Sequence, residues 1–130
     1  MQTYFVERNK LCINLIKNNL MLTKLDSNAK VICKDVSNAI KELYEQKIFF
    51  DIIFMDPPYY KNLVQKTLNF LAQYKLLKMN GIIICESSSH EILDLPIQFD
   101  FFKIKRYNTT TINYIVRKET DENSNLSGKF

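Results

Sequence analysis

The chain has 130 residues, of which 46% are hydrophobic, and its 18 basic and 14 acidic side chains give a formal net charge of +4. This length fits one domain with a real core; because no stretch approaches the roughly 20 apolar residues of a membrane span and the first residues lack a signal-peptide pattern, we expect a cytoplasmic protein without membrane contact. Without residues 119–130 the balance is 17 basic to 11 acidic side chains, or +6, which suits a polyanionic partner such as nucleic acid.

Strands and helices are predicted to alternate along the first part of the chain. The run "TYFVE" is rich in β-forming residues and predicts a first strand. A helix is predicted next, because apolar residues follow at the spacing of one helical face: Leu11, Cys12, Leu15, Ile16 and Leu20. A second strand, "AKVICKD", precedes a short helix over Val36 to Tyr44, whose apolar side is Ala39, Ile40 and Leu43.

The alternation continues through the middle of the chain. The run "FFDIIFMD" is almost continuously apolar, which predicts a strand covered on both faces. A third helix is marked by Leu63, Thr67, Leu68 and Leu71, and "GIIICES" predicts a fourth strand. Four strands alternating with helices predict a parallel sheet in an α/β domain, because parallel strands need crossover connections.

The C-terminal part has a different pattern. Two β-rich runs, "FFKIKRYN" and "TTTINYIVRK", have no helix between them and predict an antiparallel pair that closes one edge of the sheet. We therefore assign residues 1–118 to one domain and expect residues 119–130 to be a disordered tail. The three cysteines, Cys12, Cys33 and Cys85, are too widely spaced for a zinc site and odd in number, so we expect reduced, buried thiols.

Each of the four parallel-strand candidates ends in a carboxylate: Glu7, Asp35, Asp56 and Glu86. In a parallel sheet the carboxyl ends share one edge, so these acids would gather in the crevice where open α/β sheets bind ligands. There they could accept hydrogen bonds from ribose hydroxyls and exocyclic amines. The alternative is that each acid caps the helix that follows it.

The stretch "DPPY" after the third strand is unusual. Pro57 and Pro58 cannot continue a central strand, so they present Asp56 at the sheet edge in a stiff, extended segment. Tyr59 adds a flat ring with a polar tip. A ring that stacks on a planar base, beside a carboxylate and a free carbonyl that grip its amino group, would direct the nitrogen lone pair at an electrophile. The alternative for Tyr59, and for Tyr60, is ordinary packing at a helix start.

This tetrapeptide resembles the Asp/Asn-Pro-Pro-aromatic motif of S-adenosylmethionine-dependent amino-methyltransferases, which act on adenine, guanine or glutamine nitrogens. More of the chain, from about Tyr4 to Lys118, resembles the RsmD family of small-subunit rRNA guanine-N2 methyltransferases. The similar segments are "FVERNKLCINLIKNNL", "VICKDVSNAIKEL", "FDIIFMDPPY", "LLKMNGIIICESS" and "KRYNTTTINYIVRK". The resemblance implies a Rossmann-like methyltransferase fold with a mostly parallel sheet and an antiparallel C-terminal hairpin.

The resemblance also implies a role for the matching residues. Glu7 would hold the ribose hydroxyls of S-adenosylmethionine, and Asp35 with Val36 would contact its adenine ring. The motif residues Asp56 to Tyr59 would hold a guanine flipped out of its helix, and methyl transfer would proceed by orientation, without a metal. The expected partner is small-subunit rRNA or its assembling particle. For Glu86 we expect a role in orienting loops.

One part of the family pattern is missing. The family begins with a strand and a glycine-rich loop that wraps the methionine part of the cofactor, whereas this chain starts at the second strand and has only Gly81 and Gly128. In the family's sheet order the absent strand lies at the centre, so its loss predicts a divided sheet with two bare edges. We expect a truncated product, a chain completed by a second chain, or a remnant that folds differently.

Three functions are therefore open. The first is guanine-N2 methylation of small-subunit rRNA, which the truncation could inactivate; the second is adenine-N6 methylation of DNA or RNA, which uses the same tetrapeptide. The third is a non-catalytic RNA-binding module without a cofactor site. A Ser–His hydrolase built on "SSSHE" is not expected, because neighbouring residues do not face each other; Ser87 to Ser89 are expected to cap a turn before His90.

Overall fold

A computed structural model describes residues 1–57 and 62–118, and its secondary structure follows the predicted alternation. The elements in chain order are β1 (Thr3–Glu7), α1 (Lys10–Leu22), β2 (Ala29–Cys33), α2 (Val36–Glu45), β3 (Phe50–Met55), α3 (Leu63–Tyr74), β4 (Leu77–Ser88), β5 (Phe99–Arg106) and β6 (Thr110–Arg117). In the described part of the chain, none of the helices combines the length and the apolar character of a membrane crossing. The predicted tail, residues 119–130, lies outside the described residues.

The described strands form two sheets, one in each of two units, Met1–Leu43 and Tyr44–Phe130. In the first unit β1 and β2 pair in parallel. In the second unit the strand order is β3-β4-β6-β5, where β3 and β4 are parallel and the other two pairs are antiparallel. The C-terminal antiparallel pair is as predicted, and two separate sheets agree with the expectation of a divided sheet.

The first unit packs α1 on its two strands, with a different helical face from the predicted one. The helix begins because the Asn9 side-chain oxygen accepts from the backbone N–H groups of Leu11 (2.9 Å) and Cys12 (3.2 Å). Its buried stripe runs through Ile13, whereas Leu11 and Leu15 are 75% and 61% exposed. The sequence offers two apolar stripes on this helix, and only tertiary packing selects between them.

The second unit has its core on one side of the four-stranded sheet. Buried α3 side chains such as Val64 and Leu68 are matched by buried sheet residues, among them Ile83, Cys85 and Ile115. The strand pairing places these three sheet residues and Ile53 on the same side, since paired residues share a face. We call this the α3 side of the sheet.

The other side of this sheet is much more exposed than the sequence predicted for β3. Ile52 and Phe54 are 63% and 68% exposed, so the expectation that β3 is covered on both faces is wrong. The physical reason is that these two side chains face away from the α3 side, where no described element buries them. The apolar run of β3 therefore reflects β propensity and not burial on both faces.

All three cysteines are free thiols, but the prediction that they are buried is correct for one of them only. Cys85 is buried on the α3 side, but Cys12 and Cys33 are exposed free thiols. The spacing of apolar residues in the sequence does not predict the burial of either residue. Cys12 is on the outward stripe of α1, and Cys33 is the last residue of β2.

Gly81 provides a test of the packing between β3 and β4. A Cβ atom added there would lie 2.6 Å from Leu77 Cδ1 and 2.9 Å from the Asp51 carbonyl oxygen. We expect Gly81→Ala to lower the free energy of unfolding by about 1–3 kcal/mol, because the strands must separate to fit the methyl group. Chemical denaturation measures this. The neighbouring exposed Asn80→Ala is the control, and equal stability of the two variants would contradict the close approach.

The thiols provide a second test. Burial raises the pKa of the Cys85 thiol to about 12, although a hydrogen bond with Asn113 acts in the opposite direction. Because the thiolate is the reactive form, Cys85 should stay unmodified by a thiol reagent at about pH 8 while Cys12 and Cys33 react. Mass spectrometry of peptides checks this. Labelling of Cys85 at the rate of the other two in the folded chain would show that the site is open.

Candidate functional site

The pairing of β3 with β4 brings Asp56 and Glu86 together at the carboxyl edge of the second unit's sheet. Met55, the last residue of β3, pairs with Cys85, and the next residues along the two parallel strands are Asp56 and Glu86. Their side chains are joined by a hydrogen bond. The structure therefore places two of the four predicted acids in direct contact, and it gives Glu86 a defined partner.

Two carboxyl groups can share a hydrogen bond only if one of them carries a proton. The pKa of Asp56 is raised above its ordinary value by partial desolvation, by the negative charge of Glu86 and by the hydrogen bond with Glu86. Asp56 therefore holds its proton to a higher pH than an isolated aspartate. Such a pair can accept hydrogen bonds, and it can take up a proton from a nearby group.

The local sequence holds Asp56 in position. β3 ends at Met55, immediately before Asp56, and Pro57 follows as a half-buried residue without an N–H group. The side chain of Asp56 is exposed at this point and open to a ligand. Pro58, Tyr59 and Tyr60 lie outside the described residues, so the predicted grip on a base by the proline carbonyls and the Tyr59 ring stays a prediction.

A buried polar cluster on the α3 side supports this edge of the sheet. The Asn113 side-chain nitrogen donates to the Cys85 carbonyl oxygen (3.2 Å) and to the Ser87 hydroxyl (2.9 Å). Asn113 was missed by the sequence reasoning; its only signal is one polar residue inside the apolar run of β6. The prediction that Ser87 caps a turn is wrong, because β4 continues to Ser88 and buries Ser87.

The segment after β4 does contain the predicted turn. The Ser88 hydroxyl accepts from the His90 backbone N–H (3.3 Å), which is a turn-capping contact. Ser89 holds the turn between β5 and β6: its N–H donates to the Thr109 carbonyl oxygen (3.1 Å) and its hydroxyl to that of Asn108 (3.1 Å). The carboxyl ends of β4 and β5 are thereby tied together.

In the first unit, Glu7 and Asp35 lie at the carboxyl edge of the two-stranded sheet. Glu7 ends β1 and pairs in register with Cys33, two residues before Asp35. The Glu7 carboxylate accepts from the Asn9 N–H (3.1 Å), and the Asp35 carboxylate accepts from the Asn38 side chain (3.2 Å).

Asp35 lies at the N-terminus of α2, where the capping alternative would place it. Its carbonyl oxygen accepts from the Ala39 N–H (3.0 Å). Val36, the first residue of α2, is 38% exposed. Both acids thus have a structural contact and remain accessible to a ligand hydroxyl. That all four acids share one crevice stays a prediction.

A cavity of about 430 Å³ lies elsewhere in the second unit, between α3 and the segment after β4. Gln65 joins its walls: its side-chain nitrogen donates to the Asp94 carbonyl oxygen (2.6 Å), and its side-chain oxygen accepts from the Asp94 N–H (2.9 Å). Asp56 and Glu86 are not among the described residues that line this cavity.

The family model described as conserved hypothetical protein 95 matches residues 1–116. The chain belongs to this family. Membership confirms the resemblance to the RsmD family, because the curated relatives of the chain include a ribosomal RNA small subunit methyltransferase D from Haemophilus influenzae. That relative is 31% identical over 102 residues, which are 78% of this chain and 52% of the relative. The chain thus spans about half the length of the curated relative.

Two solved structures show the fold. HI0767 from Haemophilus influenzae is 28% identical with a TM-score of 0.80, covering 91% of this chain and 73% of that one. A SAM-dependent methyltransferase from Agrobacterium tumefaciens, 14% identical, has a TM-score of 0.62 and covers 89% and 49%. The predicted fold class, an α/β fold of the S-adenosylmethionine-dependent methyltransferase type, is confirmed.

The carboxyl pair makes a pH-dependent prediction. In Glu86→Gln the repelling charge is gone, so the pKa of Asp56 should fall towards the ordinary 3.8, as an NMR titration of its side-chain carboxyl would show. In the native chain the raised pKa costs stability as the pH rises above 3.8 and through that pKa, because ionised Asp56 then faces a second acid. The stability of Glu86→Gln relative to the native chain should therefore increase over that range. An unchanged Asp56 titration would contradict the pairing.

Proposed function

We propose that this chain carries the base-binding residues of an S-adenosylmethionine-dependent methyltransferase that modifies a guanine N2 amine in small-subunit rRNA. The observation that carries the proposal is the hydrogen-bonded Asp56–Glu86 pair at the exit of β3, immediately before Pro57. Membership of the family and the name of the Haemophilus relative support small-subunit rRNA as the substrate, and the guanine N2 amine is proposed from the resemblance to the RsmD family.

The carboxyl pair suits the chemistry of an exocyclic amine. Such an amine has two N–H bonds and a lone pair that is delocalised into the base, so an acceptor that grips one N–H fixes the plane of the group. In the proposed reaction a nitrogen–carbon bond forms, the carbon–sulfur bond of the methyl donor breaks, and the nitrogen loses one proton. Asp56 is positioned to accept the hydrogen bond, and the pair is the proposed acceptor of the proton. Glu86 acts by fixing the orientation and protonation of Asp56.

The first unit carries the residues proposed to contact the cofactor. S-adenosylmethionine supplies the methyl group when bound. Glu7 offers a carboxylate acceptor of the kind that holds a pair of ribose hydroxyls, and Val36 offers an exposed apolar side chain at the start of α2, beside Asp35. The chain has two glycines only, so a glycine-rich loop is not among its residues. We propose that full cofactor binding needs such a segment, from a longer form of the protein or from a second chain.

Methylation assays test the proposal. Deproteinised small-subunit rRNA, assembled particles and duplex DNA would each be offered with labelled S-adenosylmethionine, and label should appear in guanine of the rRNA or the particle. Asp56→Ala should lower the rate by roughly 100-fold or more, because it removes the proposed acceptor. Asp51→Asn, an exposed acid of the same strand, is the control and should leave the rate unchanged. Label found only in adenine would refute the guanine assignment.

Calorimetry with S-adenosylmethionine separates catalysis from binding alone. Binding by the purified chain would support a functional cofactor site within residues 1–130. No binding, together with RNA binding that Asp56→Ala leaves unchanged, would identify a non-catalytic RNA-binding module.

A further inference from the structure

We propose that the C-terminal end of β5 and the turn after it form a contact surface for single-stranded RNA. We call this the β5 surface; its residues are Phe102, Lys103, Lys105 and Tyr107. The choice of RNA over other polyanions rests on the proposed function. The location of the surface rests on the observations below.

The β5 surface combines exposed cations with exposed aromatic rings. Lys103 and Lys105 are exposed, and within residues 1–57 and 62–118 neither of them forms an ion pair. Phe102 and Tyr107 are 70% and 60% exposed, so their rings are open to stacking. Cations that track a phosphate backbone, beside rings on which bases stack, are the pattern of single-strand binding surfaces.

A register shift in β5 and a hydrogen-bonded turn after it hold these side chains in position. The pairing register with β6 shifts between Phe101 and Lys103, so that Phe102 is the extra residue of a β-bulge. Bulges re-aim side chains and are specific features of a sheet. The turn that carries Tyr107 is closed by a hydrogen bond from the Tyr107 N–H to the Thr110 carbonyl oxygen (2.8 Å) and is held by Ser89.

The sheet register places the two lysines of the β5 surface on the same side of the sheet as Glu86. Glu86 pairs with Ile112, and Ile112 pairs with Lys105, so these three residues form one row across β4, β6 and β5 and share one side of the sheet. With strands about 4.8 Å apart, the Lys105 backbone lies about 10 Å from that of Glu86. An RNA strand that places one base at Asp56 would thus bring its neighbouring phosphates and bases to the β5 surface.

A second explanation for lysines on an edge strand is protection against edge-to-edge association. That role needs charge of either sign, whereas contact with RNA needs positive charge. It also gives no reason for the exposed rings of Phe102 and Tyr107. Charge reversal therefore separates the two explanations.

The test is binding of a fluorescent, unstructured RNA of about 20 nucleotides, longer than the usual site size. Lys103→Glu/Lys105→Glu should weaken binding by about tenfold or more, whereas the control Lys17→Glu/Lys66→Glu, with the same change in net charge at exposed positions outside β5, should change it far less. Phe102→Ala and Tyr107→Ala should each weaken binding by about tenfold through lost stacking. Circular dichroism would confirm that each variant is folded.

Salt dependence gives a readout that a folding defect would not produce. Lys103→Gln/Lys105→Gln should reduce the slope of log affinity against log salt by about 0.7 for each lost phosphate contact. Equal losses in the β5 and control variants, no RNA binding by the native chain, or a preference for duplex DNA would each overturn the proposal. Because this assay needs neither cofactor nor Asp56, it can fail while methylation succeeds, and the reverse.

Discussion

The parallel pairing of β3 with β4 is the constraint on which the candidate site depends. It sets Phe54 against Ile84 and Met55 against Cys85, and it thereby carries Asp56 to Glu86. A slip of one residue would turn every side chain of β3 to the opposite side of the sheet and separate the two carboxyl groups. The close approach of β3 at Gly81 and the buried Asn113 cluster both act on β4, so the packing that stabilises this strand also fixes the site.

The electrostatics of the second unit are consistent with a polyanionic partner. Desolvation and the charge of Glu86 raise the pKa of Asp56, and once both carboxyl groups are ionised they repel phosphate. Lys103 and Lys105 lie two strands away on the same side of the sheet as Glu86, and their positive charges offset this negative charge. A nucleic acid can then meet positive charge at its backbone and hydrogen-bond acceptors at a single base.

Much of the fold could be predicted from apolar spacing, because strands and helices differ in period. Burial could not be predicted as well, since it depends on packing partners that the local pattern does not contain. Leu15 faces outward on α1, Ile52 and Phe54 lie on a side of the sheet that no described element covers, and Ser87 is buried inside a longer β4 than expected. The acids at the strand ends predicted which edge of the sheet carries the site. The contact between Asp56 and Glu86 could be found only from the pairing register of β3 with β4.

The bulge at Phe102 determines which side of the sheet each later side chain of β5 faces. In a regular ladder Lys103 would oppose Asn113 and Lys105 would oppose Thr111, so both lysines would point to the α3 side. With one residue inserted they oppose Tyr114 and Ile112 instead, and Ile104 takes the place on the α3 side. The one extra residue therefore places the two lysines on one side of the sheet and Ile104 on the other. The amino-acid sequence does not reveal the bulge, because residues 101 and 102 are both phenylalanine.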